Sequence, residues 1–433
     1  MELIERIVSK DNLAKAIGQV KSNKGAPGID NMTVDELDQY FEEHEREIVE
    51  QIRNKKYKPS PVRRVYIPKA NGKERPLGIP TVVDRTVQQA VANILSEGYE
   101  CYFSEYSFGF RPGRDCHQTI NQALEYLNQG YEWVIDLDIE KYFDTVNHDR
   151  LVSILRERIN DAPTLSLIRS FLRAGVLEDG LVSATSEGMP QGGPLSPVLS
   201  NVYLDKLDQE LESRGLRFVR YADDCNIFVK SEMAANRVMK SITNWLERKL
   251  RLKVSATKTK VVRPNKSIFL GFTFWKSAQG WKCKPAWDRK TKLYVKTREI
   301  LCRRKACARP IGVTFTKLNQ LMRGWINYFG IGSMKAFLEK YGQWMRHKVR
   351  VVIIKQWKRP KTIYRNLQKL NRIGNCRFSD EDIFKVANSR LGWYRRCGMD
   401  VVNYALSPKI LGRKTKDRPG LIDPLAYYLE RCT

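Results

Sequence analysis

Two adjacent carboxylates, Asp223 and Asp224, stand between two short strand-like segments, and this pattern constrains the fold more than any other in the chain. Residues 218–221 and 226–229 are rich in aromatic and β-branched side chains, which predicts a hairpin. An Asp-Asp pair is most often a solvated turn, but such a turn more often carries Gly or Asn at its tip. The pattern therefore predicts a hairpin that presents two acidic side chains.

A second acidic strand is predicted at residues 133–139, where polar and apolar residues alternate. Alternation places Asp136 and Asp138 on the same face, opposite Ile135 and Leu137. Asp144 follows shortly after the strand. Strand alternation does not distinguish Asp138 from Asp136, so both remain candidates at this point.

Carboxylates on neighbouring strands suit nucleotidyl transfer, which needs two metal ions about 3.5–4 Å apart and little covalent help from the protein. Magnesium prefers carboxylate and water oxygens. Phe143 stands five residues after Asp138, where its ring could lie beneath the sugar of a nucleotide and exclude a 2′-hydroxyl. The alternative for Phe143 is a place in the hydrophobic core.

Charge is distributed unevenly along the 433 residues. The formal net charge is +28. Residues 1–280 hold 40 Lys and Arg against 38 Asp and Glu, whereas residues 281–433 hold 36 against 10. A surface needs far less charge than this for solubility, so the basic segment 281–433 predicts a polyanionic partner, and we expect nucleic acid.

Several other classes are not supported by the sequence. No run reaches the roughly 18 apolar residues of a spanning helix, so no membrane partner is expected. The N-terminal residues have no signal-peptide pattern. The nine cysteines are scattered without CxxC spacing, and only four histidines are present, so neither zinc nor a disulfide framework is predicted. The simplest expectation is a reduced cytosol, with a cytoplasmic protein associated with nucleic acid.

At this point the chain resembles a known family. Its motifs, in chain order, are residues 77–81 with Asp84 and Arg85, 107–114, 135–148, 190–197, 221–224 and 269–272. These are similar to the ordered blocks of reverse transcriptases encoded by group II introns, of the bacterial class C-like branch that lacks an endonuclease. Residues 321–329 resemble the maturase domain of the same family. The resemblance covers nearly the whole chain and weakens past about residue 375.

The resemblance implies roles for the residues that match each block. It implies two Mg²⁺ ions, with Mn²⁺ as a substitute, and a set of metal ligands that comprises Asp138, Ile139, Asp223 and Asp224. Of these, the three aspartates are the implied catalytic residues, which favours Asp138 over Asp136 and Asp144. The residues implied to bind the incoming nucleotide are Lys69, Arg75, Phe143, Gln191 and Lys258. Lys260 competes with Lys258 for its role, which is to protonate the leaving pyrophosphate.

A further group is predicted to contact template or primer. It comprises Lys24, Gly25, Ala26, Pro27, Gly28, Arg63, Arg111, Leu270 and Gly271. Residues 24–30 form a Gly- and Pro-rich loop, which resembles the extension that these enzymes add before the fingers and which would close over the template. The alternative for this loop is an ordinary surface connection.

The family implies an RNA template with a DNA primer, dNTPs, group II intron RNA and target DNA as partners. No His-, Asn- and Cys-based nuclease pattern follows the maturase region, so we expect the protein not to cleave its own DNA target. Two other functions stay open: an RNA-binding splicing maturase without polymerase activity, and a domesticated reverse transcriptase in defence or repair.

The predicted fold class is α+β, a right-hand polymerase whose fingers and palm contain antiparallel sheet. An all-α thumb or maturase domain and a small basic C-terminal region follow. The predicted boundaries are 1–85 for the N-terminal extension and fingers, 86–280 for the palm, 281–375 for the thumb or maturase domain, and 376–433 for the basic DNA-binding region.

Overall fold

A computed structural model describes residues 2–68, 72, 74–178, 180–416 and 418–432. The chain divides into two compact units, Met1–Phe269 and Leu270–Thr433. Among the described residues, no helix is both long and apolar enough to cross a membrane.

The helices of the first unit surround two sheets. They are α1 (Leu3–Ile7), α2 (Lys10–Ser22), α3 (Leu37–Arg53), α4 (Val82–Tyr99), α5 (Cys116–Asn128), α6 (Tyr142–Thr145), α7 (His148–Arg156), α8 (Ala162–Leu172), α9 (Leu195–Ser213) and α10 (Glu232–Trp245). A π-helical turn, Leu246–Leu250, extends α10, and a 3-10 turn spans Pro264–Lys266. Helix α9 is buried along most of its length, which makes it the centre of this unit.

The strands of the first unit are β1 (Val62–Pro68), β2 (Glu74–Ile79), β3 (Trp133–Leu137), β4 (Val176–Glu178), β5 (Leu181–Ser183), β6 (Arg217–Tyr221), β7 (Asp224–Val229) and β8 (Lys260–Val262). One sheet has the order β2-β1-β4-β5, in which only the β1–β4 pair is parallel. The other has the order β6-β7-β3-β8 and is antiparallel throughout. We call them the fingers sheet and the palm sheet.

Several local predictions match these elements. The alternating, β-branched sequence of residues 62–68 predicts a strand, and this prediction is confirmed, as is the hairpin around Asp223 and Asp224. Apolar spacing of three and four over residues 3–20 predicts a single helix. That prediction is wrong, because Ser9 interrupts the helix and caps α2 by accepting a hydrogen bond from the Asn12 amide. The Asn71-Gly72 pair predicts a hairpin turn, which lies partly outside the described residues.

The second unit begins with a hairpin and continues as helices. Its elements are β9 (Phe272–Ser277), β10 (Gly280–Pro285), α11 (Trp287–Ile300), α12 (Arg303–Ala306), α13 (Ile311–Phe329), α14 (Lys335–Trp357), α15 (Pro360–Ile373), α16 (Asp380–Ala387), α17 (Trp393–Arg396), α18 (Asp400–Ala405), α19 (Pro408–Gly412) and α20 (Pro424–Cys432). The core of this unit includes Phe315, Leu318, Met322 and Tyr341.

The hairpin of β9 and β10 belongs to this second unit, although residues 270–280 were assigned to the palm from sequence. Phe272 explains the difference, because its ring lies 5.0 Å from the ring of Phe329 and 5.8 Å from that of Tyr328, both on α13. Burying this aromatic side chain against α13 ties the hairpin to the helices that follow it.

Candidate active site

The palm sheet brings three aspartates together. Strand β7 begins with Asp224, and its register pairs Cys225 with Leu137 at the end of β3, one residue before Asp138. Asp223 lies in the turn between β6 and β7. Ala222, just before it, has φ of 57°, a left-handed conformation that turns the chain sharply at this point.

Electrostatics show that these carboxylates share one site. Burial, together with the charges of Asp223 and Asp138, raises the pKa of Asp224 to about 6, while Lys258 opposes the shift. Burial also raises the pKa of Asp223, again with a contribution from Asp138. Crowded carboxylates of this kind favour a bound cation.

A cationic side chain already occupies part of this site. The Lys258 ammonium donates to both oxygens of Asp138, at 3.0 and 3.1 Å. Among the described residues, no three His, Cys, Asp or Glu side chains converge as a ready-made metal cluster. The residues nevertheless fit a divalent ion. Asp138 and Asp223 are half-buried and Asp224 lies beside them, so the three carboxylates leave negative charge that the exposed Lys258 only partly balances.

The two rival carboxylates have other partners. Asp136 accepts a hydrogen bond from Ser267 at 2.6 Å and lies 3.6 Å from the Lys260 ammonium. Asp144 lies on α6, where the Gln191 side-chain amide approaches it at 3.5 Å. The charge of Asp136 nevertheless reaches the site, because it contributes to the raised pKa of Asp224. The choice of Asp138 over Asp136 therefore stays a prediction from the family resemblance.

A buried ion pair supports the turn that carries Asp223. The Arg220 guanidinium and the Asp208 carboxylate are both fully buried and form two hydrogen bonds. Arg220 also donates to the backbone oxygen of Ala222 at 2.9 Å and to Asn201 at 3.1 Å. This network ties the turn to α9, so its backbone position does not depend on solvent-exposed contacts.

A second chain segment packs directly against the same turn. Phe108 donates its amide to the oxygen of Arg220, and the oxygen of Gly109 accepts a hydrogen bond from Asn201. A Cβ atom added to Gly109 would lie 2.3 Å from the nitrogen of Ala222. Only glycine therefore allows this approach, and the segment holds the turn from its other side.

A cavity of about 560 Å³ opens beside Asp223. Its lining includes predicted nucleotide-binding and template-binding residues, namely Gly25, Arg75, Phe143 and Gln191. Phe143 packs edge-on to Tyr142, with ring centroids 5.2 Å apart, and is only partly buried, so the ring forms both core and cavity wall. The charge of Arg75 opposes the burial-driven rise in the pKa of Asp223, so this guanidinium lies near the carboxylates. Lys69 lies outside the described residues.

The N-terminal loop is anchored to the fingers. Arg85 donates to the Ala26 oxygen at 2.6 Å, and Arg63 donates to the Pro27 oxygen at 2.7 Å. A Cβ on Gly28 would lie 2.6 Å from the Thr81 backbone. Lys24 begins the loop with φ of 45°. Gly25 of this loop lines the cavity, and Arg63, which was predicted to contact template or primer, holds the loop through its backbone. Contact of the loop with the template stays a prediction.

Arg111 has a structural role instead of the predicted contact with template or primer. Its side chain is buried, bonds the Glu100 carboxylate at 2.8 Å, and donates to the Ser104 and Ser107 oxygens. These bonds leave its guanidinium unavailable to a phosphate. Leu270 and Gly271 both have positive φ and lie at the start of the second unit, where the oxygen of Leu270 accepts a hydrogen bond from Tyr328.

Several residues that line the cavity were not among the predicted site residues, and two of them are large side chains with clear structural signals. Phe110 lines the cavity, is half exposed, and has φ of 59°, which is unusual for a bulky residue. Arg85 lines it too. Phe110 could have been noticed in the sequence because it follows Gly109 in the 107–114 block. Only the backbone conformation shows that its ring lines the cavity while the side chain of Arg111 is buried.

A palm hairpin with paired carboxylates beside a nucleotide-sized cavity defines the class of template-directed polymerases. Comparison with protein families agrees: residues 67–274 match the model described as "Reverse transcriptase (RNA-dependent DNA polymerase)", and residues 290–371 match "Group II intron, maturase-specific domain". The chain belongs to the family of group II intron-encoded reverse transcriptases and maturases. It is an RNA-directed DNA polymerase, as the sequence predicted.

Individual relatives support this family. The chain is 35% identical to Protein YkfC of Escherichia coli K12 over 310 residues, which is 62% of this chain and 81% of that protein. It is 40% identical to the group II intron-encoded protein LtrA of Lactococcus lactis over 200 residues, 46% of this chain and 33% of LtrA. Nuclear intron maturase 4 of Arabidopsis thaliana is 32% identical over 145 residues, 33% of this chain and 18% of that protein. The match therefore spans only a minor part of the two intron proteins.

Proposed function

We propose that the chain extends a DNA primer on an RNA template through Asp138, Asp223 and Asp224, with Mg²⁺ as the natural ion. The observation that carries this proposal is the convergence of the three carboxylates beside the cavity that Arg75, Phe143 and Gln191 line. Mn²⁺ is the expected substitute, because it also accepts carboxylate oxygens.

When bound, the metal ions would neutralise the triphosphate and lower the pKa of the primer hydroxyl. The protein's own residues would do the positioning. Arg75 and Phe143 both line the cavity, and we assign the Arg75 guanidinium to the triphosphate and the Phe143 ring to the sugar of the nucleotide. The Gln191 backbone is fixed because its oxygen accepts the Gly78 amide at 2.8 Å. Lys258 is the candidate proton donor to pyrophosphate.

We propose four partners: RNA annealed to a DNA primer, dNTPs, group II intron RNA and target DNA. The excess of basic residues after residue 280 supports polyanion binding by the second unit. The cysteines are scattered along the sequence without CxxC spacing, which supports a reducing, cytoplasmic location.

The test is primer extension on poly(rA) with an oligo(dT) primer, comparing the wild-type chain with Asp223→Asn. The variant should lose at least about a hundredfold in rate while still binding primer–template, since it removes charge stabilisation but not the nucleic-acid surface. Equal rates for the two proteins would refute the assignment. Absence of extension by the wild type would instead favour a splicing maturase without polymerase activity.

A further inference from the structure

The C-terminal part of the chain, after residue 371, is covered by neither family model. Within it, residues 389–396 form a loop and the short helix α17, which packs against α14. Four residues define what we call the Tyr394 patch: Lys348 of α14, and Arg390, Tyr394 and Arg395 of the loop and α17. Tyr394 is 53% exposed, and both arginines are exposed.

The Tyr394 ring is held in a fixed orientation. The His347 ring meets it edge-on with centroids 4.2 Å apart, and the Lys348 ammonium lies 4.9 Å from the ring centroid. A cation over an aromatic ring and an edge-on neighbour both restrict rotation of the side chain. An exposed aromatic residue that is already immobilised loses little entropy when a flat ligand stacks on it.

The loop of residues 389–396 is held in place by buried contacts rather than by its exposed side chains. Arg396 is buried, donates to the Ser389 oxygen, and has its guanidinium 5.0 Å from the Trp393 ring centroid. Cys397, next in the chain, is fully buried. Because these residues carry the packing, the exposed side chains of the patch are free for a function other than folding.

The charge of the patch is unbalanced. Within the described ranges, none of the ion pairs found joins Lys348, Arg390 or Arg395 to a carboxylate. The neighbouring helix α16 shows the contrast: Phe384 is 58% exposed, yet it lies in a helix whose first turn contains Asp380, Glu381 and Asp382. Tyr394 therefore has basic neighbours, whereas Phe384 lies in a helix that begins with acidic residues.

We propose that the Tyr394 patch binds a single-stranded segment of nucleic acid. An unpaired base stacks on the open face of Tyr394, while Lys348, Arg390 and Arg395 contact the flanking phosphates. Stacking on an aromatic ring combined with basic groups is the general chemistry of single-strand binding. The proposal rests on the proposed nucleic-acid binding by the second unit, to which it adds a single-stranded ligand and the residues that contact it, and it does not depend on catalysis.

The experiment separates this patch from the polymerase site. Full-length protein is first saturated with unlabelled primer–template, and a labelled twelve-nucleotide strand, dT₁₂ or U₁₂, is then titrated by fluorescence anisotropy. All variants are also made in the Asp223→Asn background. Loss of catalysis should leave this binding unchanged, so a failure of the polymerase assignment and a failure of the patch give different results.

Tyr394→Ala should weaken strand binding roughly tenfold, whereas Tyr394→Phe should bind nearly as the wild type does. Lys348→Gln, Arg390→Gln and Arg395→Gln together should reduce the salt slope by about 2, from three lost phosphate contacts. Phe384→Ala is the matched control and should have no effect. Tighter binding of U₁₂ than of dT₁₂ identifies RNA as the ligand, and the reverse order identifies DNA.

Two outcomes would overturn the proposal. One is equal affinity of Tyr394→Ala, Phe384→Ala and the wild type, with all three melting at the same temperature. The other is loss of binding in Tyr394→Phe, because a stacking role needs the ring and not the hydroxyl. A patch that serves a protein partner would give the first outcome.

Discussion

Lys258 and Asp138 form a two-point contact in which one ammonium group bonds both carboxylate oxygens. The Asp138 oxygens are those proposed to bind metal, so the lysine and the metal compete for the same atoms. The side chain of Lys258 is 68% exposed, which lets it leave without a large desolvation change.

Replacing Lys258 with Met should tighten Mn²⁺ binding about two- to fivefold at pH 8, because the competing cation is gone and exposed ion pairs are worth less than about 1 kcal/mol. Isothermal titration calorimetry without nucleic acid measures this directly. Lys260→Met is the matched control. It removes a lysine that lies near Asp136 rather than near Asp138, so the affinity of this variant for Mn²⁺ should equal that of the wild type. Weaker Mn²⁺ binding by the Lys258 variant would contradict the competition.

Phe143→Val should admit ribonucleotides. Shortening the ring that lines the cavity opens room for a 2′-hydroxyl, and discrimination of this size is typically worth 10- to 200-fold. Single-nucleotide incorporation of dATP against ATP measures the ratio of kcat/KM. An unchanged ratio would mean that Phe143 is only core.

Gly109→Ala should displace the turn that carries Asp223. The new Cβ would lie 2.3 Å from the Ala222 nitrogen, and overpacking against backbone costs about 1–3 kcal/mol of stability. We expect primer extension to fall more than about tenfold, since small misplacements at a reacting centre are costly. Gly98→Ala on α4, where an added Cβ would meet nothing within 4 Å, is the control and should be neutral or slightly stabilising. Full activity of the Gly109 variant would show that the turn can shift freely.

Asp205→Asn should stabilise the protein at neutral pH. Burial raises the pKa of Asp205 from 3.8 to about 6, the nearby Asp208 charge adds to the shift, and Oδ1 is buried without a hydrogen-bond partner. Because the folded pKa exceeds the unfolded one, this carboxylate destabilises the fold increasingly as pH rises from about 4 to about 6, and constantly above that.

Urea unfolding at pH 7.5 should therefore show a gain of about 1–3 kcal/mol in the free energy of unfolding for the variant. The gain should shrink as the pH is lowered towards 4.5. A gain that does not depend on pH would assign the effect to packing rather than to ionisation.

Much of this fold could be predicted from local sequence. Strand β1 and the Asp223–Asp224 hairpin follow from β-branched and aromatic periodicity, and the family blocks fixed the order of the site residues. The acidic positions could be proposed from their own short segments, but the choice of Asp138 over Asp136 came from the family resemblance and not from the strand pattern. The family model and the strand register agree with these expectations.

What could not be predicted was the direction in which neighbouring side chains face. Phe110 and Arg111 are adjacent, and a basic residue in a nucleic-acid enzyme suggests the phosphate contact. Arg111 is instead buried by its bonds to Glu100, which lies at the end of α4, while the left-handed φ of Phe110 turns that ring into the cavity. The orientations of these two side chains depend on contacts with residues distant in the sequence, which a local sequence pattern does not contain.

The fingers sheet has a consequence for biosynthesis. Its parallel pair joins Val62 of β1 to Val176 of β4, with helices α4 to α8 and strand β3 between them in the chain. During translation, β1 and β2 leave the ribosome as an isolated hairpin, which alone is marginally stable in water. The wall of the nucleotide cavity can be completed only after β4 and the Gln191 segment have emerged, so the growing chain acquires its substrate pocket late.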